Sequence, residues 1–424
     1  LSQESRYLIE RLVERGDVKL ICATTTLAQG VNFPIKTVIV DAITRATERT
    51  GHRPLPFDEF WNIAGRAGRA MKDHVGLIIF AARNQGDIEV YKNYLQQDAR
   101  NVVSSILEDL DKLTEIAEKF DRKFIGDYPA LARFFQYLLH AITVADYETV
   151  STEIEDVLRS SLVYHQVGAV SSESAKKLIQ LARAYLGVIK EQSKNKGILQ
   201  LVDGTGFSSV TVNFLWSQRD EFKDINIWNN EVLFSQQDTS LSRMIDVLAG
   251  IPELDLTRIG KGALGVEAIA SIIKEWVAGV SIEQIADEYF AVKEDRDERI
   301  LDASRYIHNK LVAQLAWGMS ALQKVSLFGQ KDVKWDEVGH IPALMYYGVS
   351  SKEAATLRML GVPRKSAESL GRKYPKEVAT LPTFQQMRNW LNSLPEKEWE
   401  DANKKSKLSG KEAKSVWQIL NGIT

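Results

Sequence analysis

The 424-residue sequence has one cysteine, Cys22, so no disulfide can form within the chain and a reducing, cytoplasmic compartment is expected. Histidine is scarce. His52, His74, His140, His165, His308 and His340 are scattered without metal-ligand spacing, and no metal site is expected. No apolar run approaches the ~20 residues that cross a bilayer, which argues against a membrane protein. Also missing is any Gly-x-x-x-x-Gly-Lys-Ser/Thr loop, the backbone cradle for nucleotide phosphates. There is no internal repeat, low-complexity tract or signal peptide, and the chain opens on Leu1 rather than Met, which reads as part of something longer.

What is there is ordinary in bulk. Hydrophobic residues make up 44% and charged residues 26%, a globular composition with enough chain for two to four domains. The net charge of −2 gives no global nucleic-acid signature, although Lys331 to Thr424 carries 16 Lys and Arg against 11 Asp and Glu.

Ser2 to Glu14 predicts an amphipathic helix with Leu8, Ile9, Leu12 and Val13 on one side. Val18–Ala23, Thr37–Val40 and Val75–Phe80 are short apolar runs that suit buried parallel strands, with Asp58 to Ala70 helical between the last two. This alternation predicts an α/β layer with helices on both faces. After about residue 95 the pattern is mainly α. Helices are expected within Leu131–Val163 and from Val210 to about Val338, most strongly at Val266–Ala278 and Asp297–Lys324. Gly197–Val202 followed by Asp203-Gly204-Thr205-Gly206 predicts a small hairpin, and helices closed by a hairpin suggest a winged helix. Short helices punctuated by Gly348, Gly361-Val362-Pro363, Gly371 and Pro375 follow.

Two blocks carry chemistry. In Ala23-Thr24-Thr25-Thr26-Leu27-Ala28-Gln29-Gly30-Val31-Asn32-Phe33-Pro34, hydroxyls and free backbone N–H groups at a strand end suit phosphate oxygens. Gly30 permits close approach and Asn32 offers a donor and an acceptor; alone, the block also reads as an ordinary strand-to-loop transition. In Asn62-Ile63-Ala64-Gly65-Arg66-Ala67-Gly68-Arg69, two arginines three apart on one helical face can clamp a phosphoryl group. Exposed arginines on a small-residue helix are the alternative.

Together these blocks resemble motifs V and VI of superfamily-2 helicases, and the Thr-Leu-Ala-x-Gly-Val-Asn-x-Pro form resembles the superkiller-type branch that includes archaeal-type DNA repair helicases. Both motifs belong to the second RecA-like domain. The resemblance implies four regions: the C-terminal part of that domain (1–95), a winged helix (96–209), a helical ratchet domain (210–340) and a helix-hairpin-helix-like domain (341–424). By the same resemblance, Thr24 and Thr26 would touch the phosphate backbone of a bound strand. Gly30, Asn32, Asn62 and Gly65 would face ATP, with Asn62 standing where the family usually has Gln. Arg66 and Arg69 would be catalytic arginine fingers.

Between the blocks, Asp41 to Phe57 holds Arg45, Arg49 and Arg53 around a Thr50-Gly51-His52 tip that suits a hairpin turn, and a solvated loop is the alternative. In the resembling helicases a hairpin here parts the duplex. Further on, Ile300, Ile307, Leu311, Leu315 and Leu322 make a core stripe. Projection at about 100° per residue puts Arg299, Tyr306, Lys310 and Trp317 together on another face. Cations interleaved with aromatics suit single-stranded nucleic acid, whereas packing of Trp317 on a neighbouring domain is the alternative. The resemblance implies a ratchet helix there, with Lys310 where arginine is usual. Leu360-Gly361-Val362-Pro363-Arg364-Lys365 resembles a helix-hairpin-helix turn, in which Arg364 and Lys365 would meet phosphates and a purely structural hairpin is the alternative.

The function implied is the C-terminal part of an ATP-dependent helicase or translocase moving 3′ to 5′ on single-stranded or duplex-junction nucleic acid, DNA more than RNA. ATP and Mg²⁺ would be bound mainly by an N-terminal RecA-like domain outside these residues. Motors of this build serve repair, RNA processing and antiviral defence, sometimes with a nuclease partner. The other reading is an inactive helicase-like scaffold that binds nucleic acid or a protein.

Overall fold

The computed structural model describes residues 3–22, 35–47, 51–55, 57–68, 75–96, 129–145, 147–193, 196–259, 262–291, 294–331, 333–375, 384–404 and 406–423. The chain divides into two compact units, Leu1–Val103 with Glu412–Thr424, and Ser104–Lys411.

The first unit starts with α1 (Gln3–Glu14), then β1 (Thr37–Val40), β2 (Thr44–Thr47), β3 (Gly51–Pro54), α2 (Phe57–Ala64), β4 (Leu77–Phe80) and α3 (Gln85–Gln96). The expected parallel pairing is present: β1 and β4 run side by side with Thr37 opposite Leu77 and Val40 opposite Phe80. Because side chains alternate along a strand, half of each apolar run reaches each sheet face. Val38, Val40, Ile78 and Phe80 meet Phe60, Ala64, Tyr91 and Tyr94 from α2 and α3. On the opposite face Ile39 (60% exposed), Leu77 and Ile79 are open to solvent. Among the described residues, then, helices cover one face of this sheet, not both as the sequence pattern suggested.

A second departure concerns Val18–Cys22. These residues form no strand, and Leu20 is 76% exposed. An apolar run becomes a buried strand only when a neighbour completes its ladder, and no described strand lies beside it.

The second unit is mainly helical. It begins with α4 (Pro129–Val144), α5 (Tyr147–Arg159), α6 (Leu162–Val170), α7 (Ser172–Ser193), α8 (Lys196–Thr205) and α9 (Ser209–Gln218). The hairpin expected at Gly197–Gly206 is therefore helix. Leu201, Val202 and Thr205 are all buried, a three-and-four spacing that gives one helical stripe, and Gly206 (φ +74°) ends it. With that hairpin goes the sequence argument for a winged helix.

Next come α10 (Ser240–Ala249), α11 (Val266–Val277), α12 (Ile282–Tyr289) and α13 (Arg296–Tyr306). Serine and aspartate set several starts. Ser208 Oγ accepts from Thr211 N, Ser281 forms a capping box with Gln284, and Asp295 accepts from the Asp297 and Glu298 amides. α13 runs into a π-helical segment, Ile307–Leu315, which continues as α14 (Ala316–Ser326). One hydrophobic core extends from Leu138 to Met345 across all these helices. Its last members, Ile341 and Met345, come from α15 (Ile341–Tyr347), which is followed by α16 (Lys352–Met359), α17 (Arg364–Lys373), α18 (Phe384–Ser393) and α19 (Glu396–Asn403). α20 (Gly410–Asn421) comes next in the chain and, from Glu412 on, belongs to the first unit.

Candidate functional site

The Gly-Arg-Ala-Gly block follows helix α2 rather than continuing it. α2 stops at Ala64, after which Gly65 N donates to Trp61 O (2.8 Å), Arg66 N to Ile63 O (3.2 Å) and Ala67 N to Ala64 O (3.0 Å). Ala67 forms a parallel bridge with Ile35, and Gly68 N donates to Ile35 O at 2.9 Å. The chain turns with Gly68 at φ +90°, and a Cβ on Gly76 would lie 2.2 Å from Ala67 O, so glycine is required for this crossing. The common helical face expected for Arg66 and Arg69 is thus absent at Arg66, which sits in a turn; Arg69 lies outside the described residues.

Arg66 is half-buried, and its Nε is buried without a hydrogen-bond partner among the described residues. A guanidinium after a helix C-terminus interacts favourably with the helix dipole, but a buried Nε–H left unbonded is costly and is satisfied by an incoming acceptor. Asn62 and Gly65 are exposed beside it. Thr24, Thr26, Gly30 and Asn32 lie outside the described residues.

The hairpin between the two blocks is formed: β2 and β3 pair antiparallel with Thr44 opposite Pro54, Arg45 opposite Arg53, Ala46 opposite His52 and Thr47 opposite Gly51. Arg49 lies outside the described residues.

On the long helix the expected core stripe is present, with Ile307, Leu311, Leu315 and Leu322 buried. The face projected at 100° per residue is altered. Ala316 N bonds to Leu311 O, an i→i+5 bond, so the segment winds more slowly than an α-helix and residues after it change phase. Tyr306 is 2% exposed and donates its hydroxyl to Leu256 O at 3.0 Å, so the structure places it in the core; that burial raises its pKa. Arg299 Nη2 is 3.7 Å from Asp287 Oδ1, and its buried Nε has no hydrogen-bond partner among the described residues. Lys310 Nζ contacts Asp255 Oδ2 at 2.9 Å.

Trp317 is 37% exposed and stacks on Phe207, with ring centroids 3.8 Å apart and planes 4° from parallel. Its Nε1 donates to Thr205 O at 2.6 Å. One ring face is covered by Phe207, and the indole is fixed in plane by a backbone carbonyl. Such a ring can accept a further π system with little loss of side-chain freedom.

At the C-terminal helix pair, α16 and α17 flank a turn with Gly361 at φ +81°. Lys365 is exposed. Arg364 is placed otherwise. Its Nε donates to Gly348 O (2.6 Å), Nη1 to Val280 O (3.0 Å) and Nη2 to Trp276 O, and the guanidinium lies 3.6 Å from the Trp276 ring centroid. Two of these acceptors lie at or just beyond the C-terminal end of α11, where carbonyls lack intrahelical partners. Burial pushes the Arg364 pKa down to about 9, with Arg358 adding repulsion, so it remains charged at neutral pH. A guanidinium spent on three carbonyls and an indole has no reach left for phosphate, and the expected nucleic-acid role of Arg364 is replaced by a structural one.

Sequence reasoning missed a polar group that begins at the residue after Phe207. Ser208 Oγ (3.2 Å) and Thr211 Oγ1 (2.7 Å) both donate to Glu253 Oε1. It also missed Asp255, the partner of Lys310. Both contacts join residues more than 40 positions apart, and no local pattern reports them.

No family model matches the sequence. Over 235 residues (47% of this chain) it is 30% identical to the Hachiman protein HamB of Bacillus cereus, covering 20% of that protein. Over 174 residues (41% of this chain) it is 29% identical to the ATP-dependent DNA helicase Hel308 of Pyrobaculum calidifontis, covering 23% of it. The Hel308 of Thermoplasma volcanium matches 310 residues at 26% identity, 72% of this chain and 42% of that one. The chain spans roughly one to two fifths of the length of these curated relatives. Part of the chain is therefore homologous to Hel308-type superfamily-2 helicases and to HamB. Among the described residues no helix is long and apolar enough to cross a membrane.

Proposed function

We propose that the chain is the C-terminal part of an ATP-dependent helicase or translocase that moves 3′ to 5′ on nucleic acid, with DNA preferred to RNA. The reading is supported by homology to proteins named as ATP-dependent DNA helicases, and the observation that carries it is the Nε of Arg66, buried and unbonded among the described residues, inside the motif VI-like turn. ATP binds against a P-loop-bearing RecA-like domain outside these 424 residues, in the same polypeptide or another. Mg²⁺ and the carboxylate that activates water belong to that domain. Arg66 and Arg69 reach the γ-phosphate from this side and stabilise the charge that develops on the transferred group. Gly30, Asn32, Asn62 and Gly65 line the nucleotide, and Thr24 and Thr26 hold the strand's backbone.

The β2–β3 hairpin, with Arg45, Arg49 and Arg53, works at the duplex junction. The separated strand then passes over Trp317, with Arg299 and Lys310 as phosphate contacts and Lys365 as an outlying one. Stacking on Trp317 contributes ~1–3 kcal/mol per base. A nuclease or other protein partner fits a role in repair or antiviral defence.

The test is kinetic. In a protein completed with its P-loop domain, Arg66→Ala and Arg69→Ala each lower strand-stimulated ATPase by about 10³-fold or more, the loss seen when an arginine finger is removed. ATP-independent strand binding stays at the wild-type level. Retention of ATPase by either variant removes that arginine from the finger role.

A further inference from the structure

Asp255 is the one non-glycine residue with positive φ (42°) among the described residues. That backbone conformation is uncommon outside glycine, although aspartate tolerates it better than most residues. Its surroundings hold it here. Leu254 and Leu256 on either side are fully buried. Leu254 N donates to Ile251 O at 3.1 Å, and Leu256 O accepts the Tyr306 hydroxyl. A Cβ on Gly318 would come within 2.6 Å of Leu254 Cδ1, so Gly318 lets this loop lie directly on the long helix. The main chain at Asp255 is therefore held in place, while its carboxylate faces solvent: the side chain is 50% exposed, against 20% for Lys310.

We propose that Asp255 is a specificity-determining residue that occupies, on Lys310, the position of a nucleic-acid phosphate, and admits only a strand already anchored at Trp317. The inference rests on the strand contact assigned to Lys310 above. A free anion must break the ion pair for a single contact in return. A strand stacked on Trp317 presents its next phosphates at an effective concentration in the millimolar range, and so competes far better. The two contacts share one support. The Leu254 loop carries Asp255 and also Glu253, which is bonded to Ser208, and Ser208 follows the Phe207 ring beneath Trp317.

The salt dependence follows. A lysine that meets a phosphate normally releases a condensed cation from the nucleic acid and gives up its own mobile counter-anion. Here the group displaced from Lys310 is a carboxylate fixed to the protein, which takes up a cation when freed. The contribution of Lys310 to the salt slope is then largely cancelled in the wild type and restored when Asp255 is neutralised.

The experiment is a fluorescence-anisotropy titration of the 424-residue chain with a labelled oligo-dT strand over a range of KCl concentrations. Asp255→Asn keeps a residue that tolerates positive φ and removes the charge; Asp255→Gly relieves the backbone and guards against a folding artefact. Both should tighten binding about twofold to fivefold at low salt, the range of a modest ion pair. Both should also steepen the log–log salt slope by about 0.7. In a Lys310→Ala background the same changes should have no effect. If Lys310→Ala weakens binding but Asp255→Asn and Asp255→Gly leave affinity and slope unchanged, the competitor role is overturned and the Lys310 contact stands. If Lys310→Ala itself changes nothing, the strand contact fails, and this inference with it.

Discussion

At the first residue of α17, Arg364 gives its nitrogens to three backbone carbonyls and its flat face to Trp276. Midway along the π segment, Lys310 meets a single half-exposed carboxylate. The two cations look alike in sequence and differ in what holds them. A carbonyl at a helix end cannot withdraw without unwinding its helix, so a cation bound there is committed to the fold. A carboxylate on a rotatable side chain can leave, so a cation bound there stays exchangeable. Arg66, whose buried Nε has no hydrogen-bond partner among the described residues, lies at the far end of this scale.

The largest effect that can break this comparison is expected at Arg364. Arg364→Ala withdraws a charged donor from three carbonyls, of which Trp276 O keeps its bond from Gly279 N, and bares an indole face; it should remove about 3 kcal/mol or more from the stability of the helical unit, read as a lower urea midpoint. Arg364→Lys should recover only part, because an ammonium cannot match a planar fork. If either variant kept its midpoint and lost strand affinity, Arg364 would belong with Lys310. Trp317→Ala should come next, weakening single-strand binding by ~1–3 kcal/mol per stacked base, with Trp317→Phe retaining most of the affinity. An unchanged affinity with a lowered midpoint would return Trp317 to packing alone. The smallest effect is expected at exposed Lys365. Its neighbours Arg372 and Lys373 lie beside Glu368 (3.8 Å) and Glu398 (2.6 Å). Lys365→Ala should reduce the salt slope by about 0.7 with little change in fold, and an unaltered slope would take this turn out of the strand path.

The legible parts of the molecule were those written in local periodicity. Thr37–Val40 and Val75–Phe80 read as strands because both are short, mostly apolar runs, and Leu77–Phe80 pairs in parallel with Thr37–Val40. The hairpin around Gly51 was signalled by its turn residues. Gly197 and Gly204 imitated hairpin punctuation, whereas the buried spacing of Leu201, Val202 and Thr205 decided for helix α8. Tyr306 was misplaced because a fixed 100° step ignores the carbonyl of Leu256 fifty residues upstream. Arg364 was misplaced because its acceptors Trp276 and Val280 are more than 80 residues away. In both cases tertiary hydrogen bonding overrode a pattern that was sound along the chain alone.

The slow winding of Ile307–Leu315 reaches beyond those nine residues. A π segment acts as a helix holding surplus residues, and each one inserted or deleted there turns everything after it by about 100°. Trp317 could be rotated toward or away from Arg299 without changing either side chain. The relative aim of two contact points on this helix is thereby set by chain length, a variable that evolution can alter in single steps while every contact residue stays the same.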